Sequence, residues 1–232
     1  MGLKESGLRG SLRSVSTGVI AIPDSVVDNF EDADADPPGP YESGQTLSDF
    51  YSITGSFARN DSNPIKDGHS LERTAAENNS RIISQPGDGL PNYPAEGESV
   101  SALIQDFSQF PFVMSAVPSG SFSGYGLLVG GVDDIRLWRI DSTSRTELDT
   151  ISTTSIPNEV VEVVVKPPAS GENTVEASVW SVDQTTFERQ TQEVTLSGTD
   201  DTYAGERGLG IANASSSGTG VFADEIRIRR SI

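Results

Sequence analysis

The sequence predicts an all-β chain, a two-sheet antiparallel jelly-roll sandwich of the concanavalin-A-like kind with an N-terminal arm. Three observations predict it. From Glu98 onward, short apolar or alternating segments recur with Gly, Pro, Asn and Asp between them, the pattern of antiparallel strands joined by tight turns. After residue 22 no segment sustains a helical apolar period. The stretch from Gly124 to Asp141, GYGLLVGGVDDIRLWRID, holds two apolar runs split by Gly and Asp, which reads as a strand pair. In its second run Ile135 and Leu137 point one way while Arg136, Trp138 and Ile140 point the other. One face is dry, and the other sets an indole beside a guanidinium.

Taken in order, residues 1–22 form a separate segment and 23–232 the sandwich. The first segment carries Lys4, Arg9 and Arg13 against Glu5, the reverse of the rest of the chain. Leu3, Leu8, Leu12 and Val15 fit a short amphipathic helix weakened by Gly7 and Gly10, so it is expected to dock onto an acidic partner. Val26, Asp28 and Phe30 then share a strand face. The acidic, Pro-rich run EDADADPPGPYESG (31–44) reads as a solvated loop, since an EF-hand spacing fails at Pro37-Pro38. Candidate strands follow at 50–53, 69–74 and 81–83, with His69 at a turn-to-strand junction. The regular series is expected at 100–105, 112–116, 126–129, 134–141, 147–151, 160–166, 174–182, 193–196, 208–211 and 221–228. Val160 to Val165 is nearly all β-branched, as suits a strand buried on both faces.

Composition limits the function. With 34 acidic and 16 basic residues the formal charge is −18, which disfavours nucleic acid and anionic membranes as partners. A surface rich in Asp and Glu with three lysines resembles proteins of extreme halophiles, where salt screens self-repulsion. Without cysteine no disulfide or thiolate metal site can form. No run reaches the ~20 apolar residues of a membrane span, and no signal peptide is recognised at the N-terminus.

The segments DNFED (28–32), GYGLLVGG (124–131), IRLWRID (135–141), VVEVVVK (160–166), VEASVWSVD (175–183), GERGLGI (205–211) and VFADEIRI (221–228) together resemble laminin-G-like, concanavalin-A-like lectin jelly rolls. The acidic composition and basic arm also resemble virion surface proteins of tailed viruses that infect haloarchaea. The resemblance implies two packed sheets, glycans or partner proteins bound at a face or rim, and in some members a structural calcium near the first and last strands.

These readings give the candidate sites. Pyranose C–H faces stack on aromatic rings while polar side chains read hydroxyls, so Arg136, Trp138, Trp180 and Tyr125 are the candidate carbohydrate-binding residues; Trp138 and Trp180 would form one platform if their strand faces coincide. Asp224 is expected among the apolar residues Phe222, Ile226 and Ile228, and a buried carboxylate needs a counter-ion or donors. Asp28, Glu31 and Asp224 are therefore the candidate Ca2+ ligands. The sequence lacks a glycosidase triplet, a GxSxG motif and a zinc helix. The function expected is non-enzymatic: a virion or extracellular surface protein, homo-oligomeric, docked to other surface proteins through residues 1–22, with a glycan as ligand. A concanavalin-A-like glycoside hydrolase and a purely structural subunit without ligand are the alternatives.

Overall fold

In a computed structural model the described residues are 25–35, 37–77, 80–107, 110–119, 121–130, 134–152, 159–214 and 218–229. The arm, with Lys4, Arg9 and Arg13, lies outside them. Fifteen strands are described: β1 (Ser25–Asp28), β2 (Ser52–Thr54), β3 (Phe57–Asn60), β4 (Ser70–Arg73), β5 (Arg81–Ser84), β6 (Ser99–Ile104), β7 (Pro111–Val117), β8 (Ser123–Gly130), β9 (Asp134–Asp141), β10 (Ser144–Ile151), β11 (Val161–Lys166), β12 (Thr174–Val182), β13 (Arg189–Thr199), β14 (Gly208–Asn213) and β15 (Gly220–Arg229). They form two antiparallel sheets. Sheet I runs β13-β12-β11-β6-β15-β4-β3 with β1 also on β15, and sheet II runs β10-β9-β8-β7-β14-β5-β2. This is the jelly-roll sandwich expected.

Alternation builds the core between the sheets. Val161, Val163 and Val165 of β11, Val175, Ala177 and Val179 of β12, and Ile135 and Leu137 of β9 all face inward and are buried there. Each outer face also carries a smaller cluster of buried apolar residues. Sheet I carries Leu103, Val160 and Val182 outside, and sheet II carries Phe112, Met114, Leu128 and Ile140. β9 and β12 have the bounds read from the sequence. β3 was not expected, because FARN offers no apolar alternation; it forms by pairing with β4, Phe57 opposite Arg73 and Asn60 opposite Ser70.

Two short strands share one edge of β15. β4 pairs with its beginning, Val221 opposite Glu72, and β1 with its end, Asp28 opposite Ile226. Between them β15 bulges, with Glu225 at φ 46°. The irregularity overturns one expectation. Asp224 pairs with Leu103, whose side chain is on the outer face, so Asp224 leaves the face that holds Phe222, Ile226 and Ile228. The hand-over leaves backbone donors without strand partners, and carboxylates serve them. Asp224 Oδ2 accepts from Lys66 N at 2.9 Å and Ser70 Oγ at 2.7 Å, and its Oδ1 from Glu225 N. Glu31 Oε1 accepts from Gly68 N and His69 N, while its Oε2 lies 3.2 Å from His69 Nδ1. Buried amides require such acceptors.

A buried ion pair ties four strands on the outer face of sheet I. Glu162 of β11 is 1% exposed and accepts from Ser101 Oγ, Arg189 Nε at 2.6 Å and Arg229 Nε and Nη2 at 2.5 and 2.8 Å. Burial alone would raise its pKa; the Arg229 and Arg189 guanidiniums hold it below the usual range. Removing one partner of such a pair leaves uncompensated buried charge. Glu162→Gln is expected to cost about 3 kcal/mol in urea unfolding; a loss under about 0.5 kcal/mol, the size of a surface change, would contradict this role.

Candidate functional site

The segment from Asn29 to Tyr51 crosses one rim of the sandwich. Pro37, Pro38 and Pro40 supply no ladder donors, so the chain closes on itself. Ala33 N donates to Tyr41 O, Gly39 N to Asp32 O and Tyr41 N to Glu31 O, at 2.8, 2.9 and 3.4 Å. Gly39 is needed here, because a Cβ would stand 1.9 Å from the Glu31 carbonyl oxygen. A single 3₁₀ turn, Leu47–Asp49, follows, started by Thr46 N donating to Asp49 Oδ2 at 2.6 Å. Leu47 is buried in the core and Ser48 faces out.

Asp28 anchors this segment. Fully buried at the end of β1, it accepts Phe30 N on Oδ1 at 2.7 Å and the Tyr51 and Tyr41 hydroxyls on Oδ2 at 2.6 and 3.0 Å. Burial raises its pKa to about 6 against the lowering effect of these donors and of Arg59. Tyr41 stands edge-on to Phe50 at 5.0 Å. The Arg59 guanidinium lies 4.0 Å over the Tyr41 ring and donates to Phe30 O at 2.7 Å and Asp32 Oδ1 at 2.6 Å. That bond lowers the Asp32 pKa.

Two cavities flank this stack. The larger, about 540 Å³, is lined by Asp32, Asp34, Tyr41, Glu42 and Gln45. The smaller, about 400 Å³, is lined by Gln45, Leu47, Ile53, Phe57, Ala58 and Arg59. Asp34 and Glu42 are exposed. The first cavity thus offers the carboxylate acceptors of Asp34 and Glu42, the Gln45 Oε1 being taken by Glu42 N at 2.7 Å, and the second an apolar wall, the combination that holds small polar molecules with apolar patches.

The aromatic residues predicted from sequence stand elsewhere. Trp138 is on the outer face of sheet II beside Phe112 at 5.6 Å, with Arg145 at 4.8 Å and Arg136 at 6.0 Å over its ring. Arg136 is held by both oxygens of Asp134 at 2.7 and 2.6 Å. Trp180 is on the outer face of sheet I, donating Nε1 to Ser178 Oγ at 2.9 Å under Arg189 at 4.8 Å. The two indoles therefore point away from each other on different sheets and form no common platform. Tyr125 faces the inter-sheet core at 0% exposure, its hydroxyl donating to Asp200 Oδ1 and accepting Tyr203 N. Its ring has no face to offer a sugar.

The calcium candidates do not assemble either. Asp28 and Asp224 spend their oxygens on hydroxyl and amide groups, and Glu31 spends Oε1 on two amides and Oε2 on the His69 imidazole, where a cation would need free lone pairs. Among the described residues no group of three or more His, Asp or Glu side chains is placed to hold a metal ion. The sequence signal that would have found the rim was the acidic run beside Tyr41, but Arg59, which organises it, comes from a strand that the alternation did not reveal.

No protein-family model and no curated protein matches the chain in sequence. Solved structures are similar in fold. The carbohydrate-binding module CBM66 from Bacillus subtilis superimposes with a TM-score of 0.51 at 10% identity, covering 77% of this chain and 95% of that one. The VIP36 exoplasmic/lumenal domain, in its Ca2+/Man3GlcNAc-bound form, gives a TM-score of 0.51 at 7% identity, covering 79% of this chain and 84% of that one.

The Asp28 anchor has a pH signature. An acid whose pKa is higher folded, about 6, than unfolded, 3.8, binds more protons in the folded state between those values, so its contribution to stability rises as pH falls from 7 to 4. Chemical denaturation of the native protein and Asp28→Asn at pH 7.5 and 4.5 should show the native protein gaining relative to the variant by on the order of 2 kcal/mol at the lower pH. Parallel pH profiles would refute the assignment.

Proposed function

We propose that this protein binds glycans without transforming them, using the double cavity between the 29–51 segment and β3. The observation that carries the reading is that pair of contiguous concavities, one lined by acceptors and one by apolar side chains, held by the Arg59–Tyr41 stack. Hydroxyls donate to carboxylates, and ring C–H faces cover apolar walls. The fold shared with a carbohydrate-binding module supports it. A non-enzymatic role is supported by where the carboxyls with raised pKa are. Burial raises Asp28, Asp67 and Asp224, and none of them lines either cavity; Asp32, which lines the larger one, is lowered by its bond to Arg59, whereas hydrolysis needs an acid raised in pKa opposite a second carboxylate.

The setting belongs to the same proposal. A formal charge of −18 suits a surface protein working in high salt, and the basic residues 1–22 suit attachment to an acidic particle or envelope protein. A homo-oligomer would present several shallow sites at once and gain avidity.

Asp34 and Glu42 are exposed and make no ion pair among the described residues, so their removal should leave the fold intact. Asp34→Ala combined with Glu42→Ala should weaken glycan binding tenfold or more in calorimetry at an unchanged melting temperature. Trp138→Ala and Trp180→Ala should leave binding unaltered; loss of binding in a folded Trp variant, with the rim variant unaffected, would move the site to a sheet face.

A further inference from the structure

The two cavities share the wall made by Gln45. The Arg59–Tyr41 stack lies at their boundary, Tyr41 lining the larger and Arg59 the smaller, 4.0 Å apart. Each is within the range of about 300–1,000 Å³ typical of ligand pockets, so neighbouring groups of one ligand can occupy both. Their chemistry differs. The larger is lined by the carboxylates of Asp32, Asp34 and Glu42, and its neighbouring cation, Arg59, is committed to Asp32 Oδ1 and Phe30 O. An anionic sugar entering there would meet like charge, the repulsive element by which a site rejects a class of ligand. The smaller is walled by Leu47, Ile53, Phe57 and Ala58, with Gln45, Arg59 and the Thr46 and Ser48 hydroxyls at its side. A methyl group gains from burial against such a wall, whereas a bare hydroxyl loses hydration there.

We propose that the two cavities are consecutive subsites for one uncharged oligosaccharide of at least two rings, the ring in the smaller cavity carrying an apolar substituent such as an acetamido methyl. The proposal rests on the rim being the glycan site and adds the length, charge class and substituent of the ligand. Gln45 lines both cavities; with its Oε1 accepting Glu42 N at 2.7 Å, its Nε2 is the donor left to face the junction between the two rings. Ala58, on β3, stands where the substituent would lie.

The test is calorimetry of the full chain with β-linked disaccharides in gluco, galacto and manno configuration, each with and without acetamido groups. The matching monosaccharides and a uronic acid disaccharide complete the set. In at least one configuration the acetamido disaccharide should bind at least tenfold more tightly than both its hydroxyl counterpart and its own monosaccharide, and the uronic acid disaccharide should show no measurable binding. Ala58→Asp, which places a charge at the apolar wall, should abolish the acetamido preference while hydroxyl disaccharides still bind. Equal affinity for mono- and disaccharides, for acetamido and hydroxyl forms, or for the uronic acid form would overturn the two-subsite assignment and leave the rim as a glycan site. Absence of binding by every saccharide would overturn the glycan reading and this inference with it.

Discussion

A carboxylate with no cation bonded to it, buried where the first strand meets the last, is the constraint from which the rim of this sandwich follows. Asp28 must find donors, because an ionised carboxyl in an apolar interior is otherwise expelled or protonated. It finds two tyrosine hydroxyls, from Tyr41 and Tyr51, and the Phe30 amide. Those bonds fix both ends of the segment that lines the larger cavity. With Tyr41 held, its ring can carry Arg59, and Arg59 in turn gathers Phe30 O and Asp32. The arrangement runs from one buried charge outward to the surface that holds the two cavities.

The same reasoning accounts for the other buried acids near β15. A strand flanked on one edge first by β4 and then by β1 cannot keep an unbroken ladder. Asp224, Glu31 and Glu225 fill the gap, the first two on the amides of Lys66, Gly68 and His69, the third on the Lys66 ammonium at 2.8 Å. Their spacing in sequence imitates a metal site because both tasks ask for convergent oxygens. What separates the two is the partner, and here the partners are protein N–H and O–H groups. Glu162 shows the contrasting solution, a buried carboxylate matched by two guanidiniums.

Sequence made the sandwich legible because alternation and turn residues are local signals. The inward set Ile135 and Leu137 and the β-branched run of β11 fall where their periods place them. Departures arise where a distant segment decides the outcome. β3 has no apolar pattern and exists through its pairing with β4. Two irregularities in β15, one between Val221 and Ala223 and one between Asp224 and Arg227, shift Asp224 to the other face, and no local pattern announces them. Trp138 and Trp180 do face outward from their strands, but which sheet each strand joins is a matter of topology, and that separates them. The acidic run 31–36 reads as a solvated loop in isolation. Its residues Asp32 and Asp34 become part of a cavity wall beside Arg59, which lies 27 residues beyond Asp32.

The central claim is that recognition occurs at the rim and not on a sheet face. Amide NMR of the full chain titrated with a panel of uncharged oligosaccharides measures this directly. Shifts concentrated at residues 32–48 and 53–59, with the amides around Trp138 and Trp180 unmoved, are the predicted result. Shifts centred on 136–145 or 176–182 with the rim silent would contradict it.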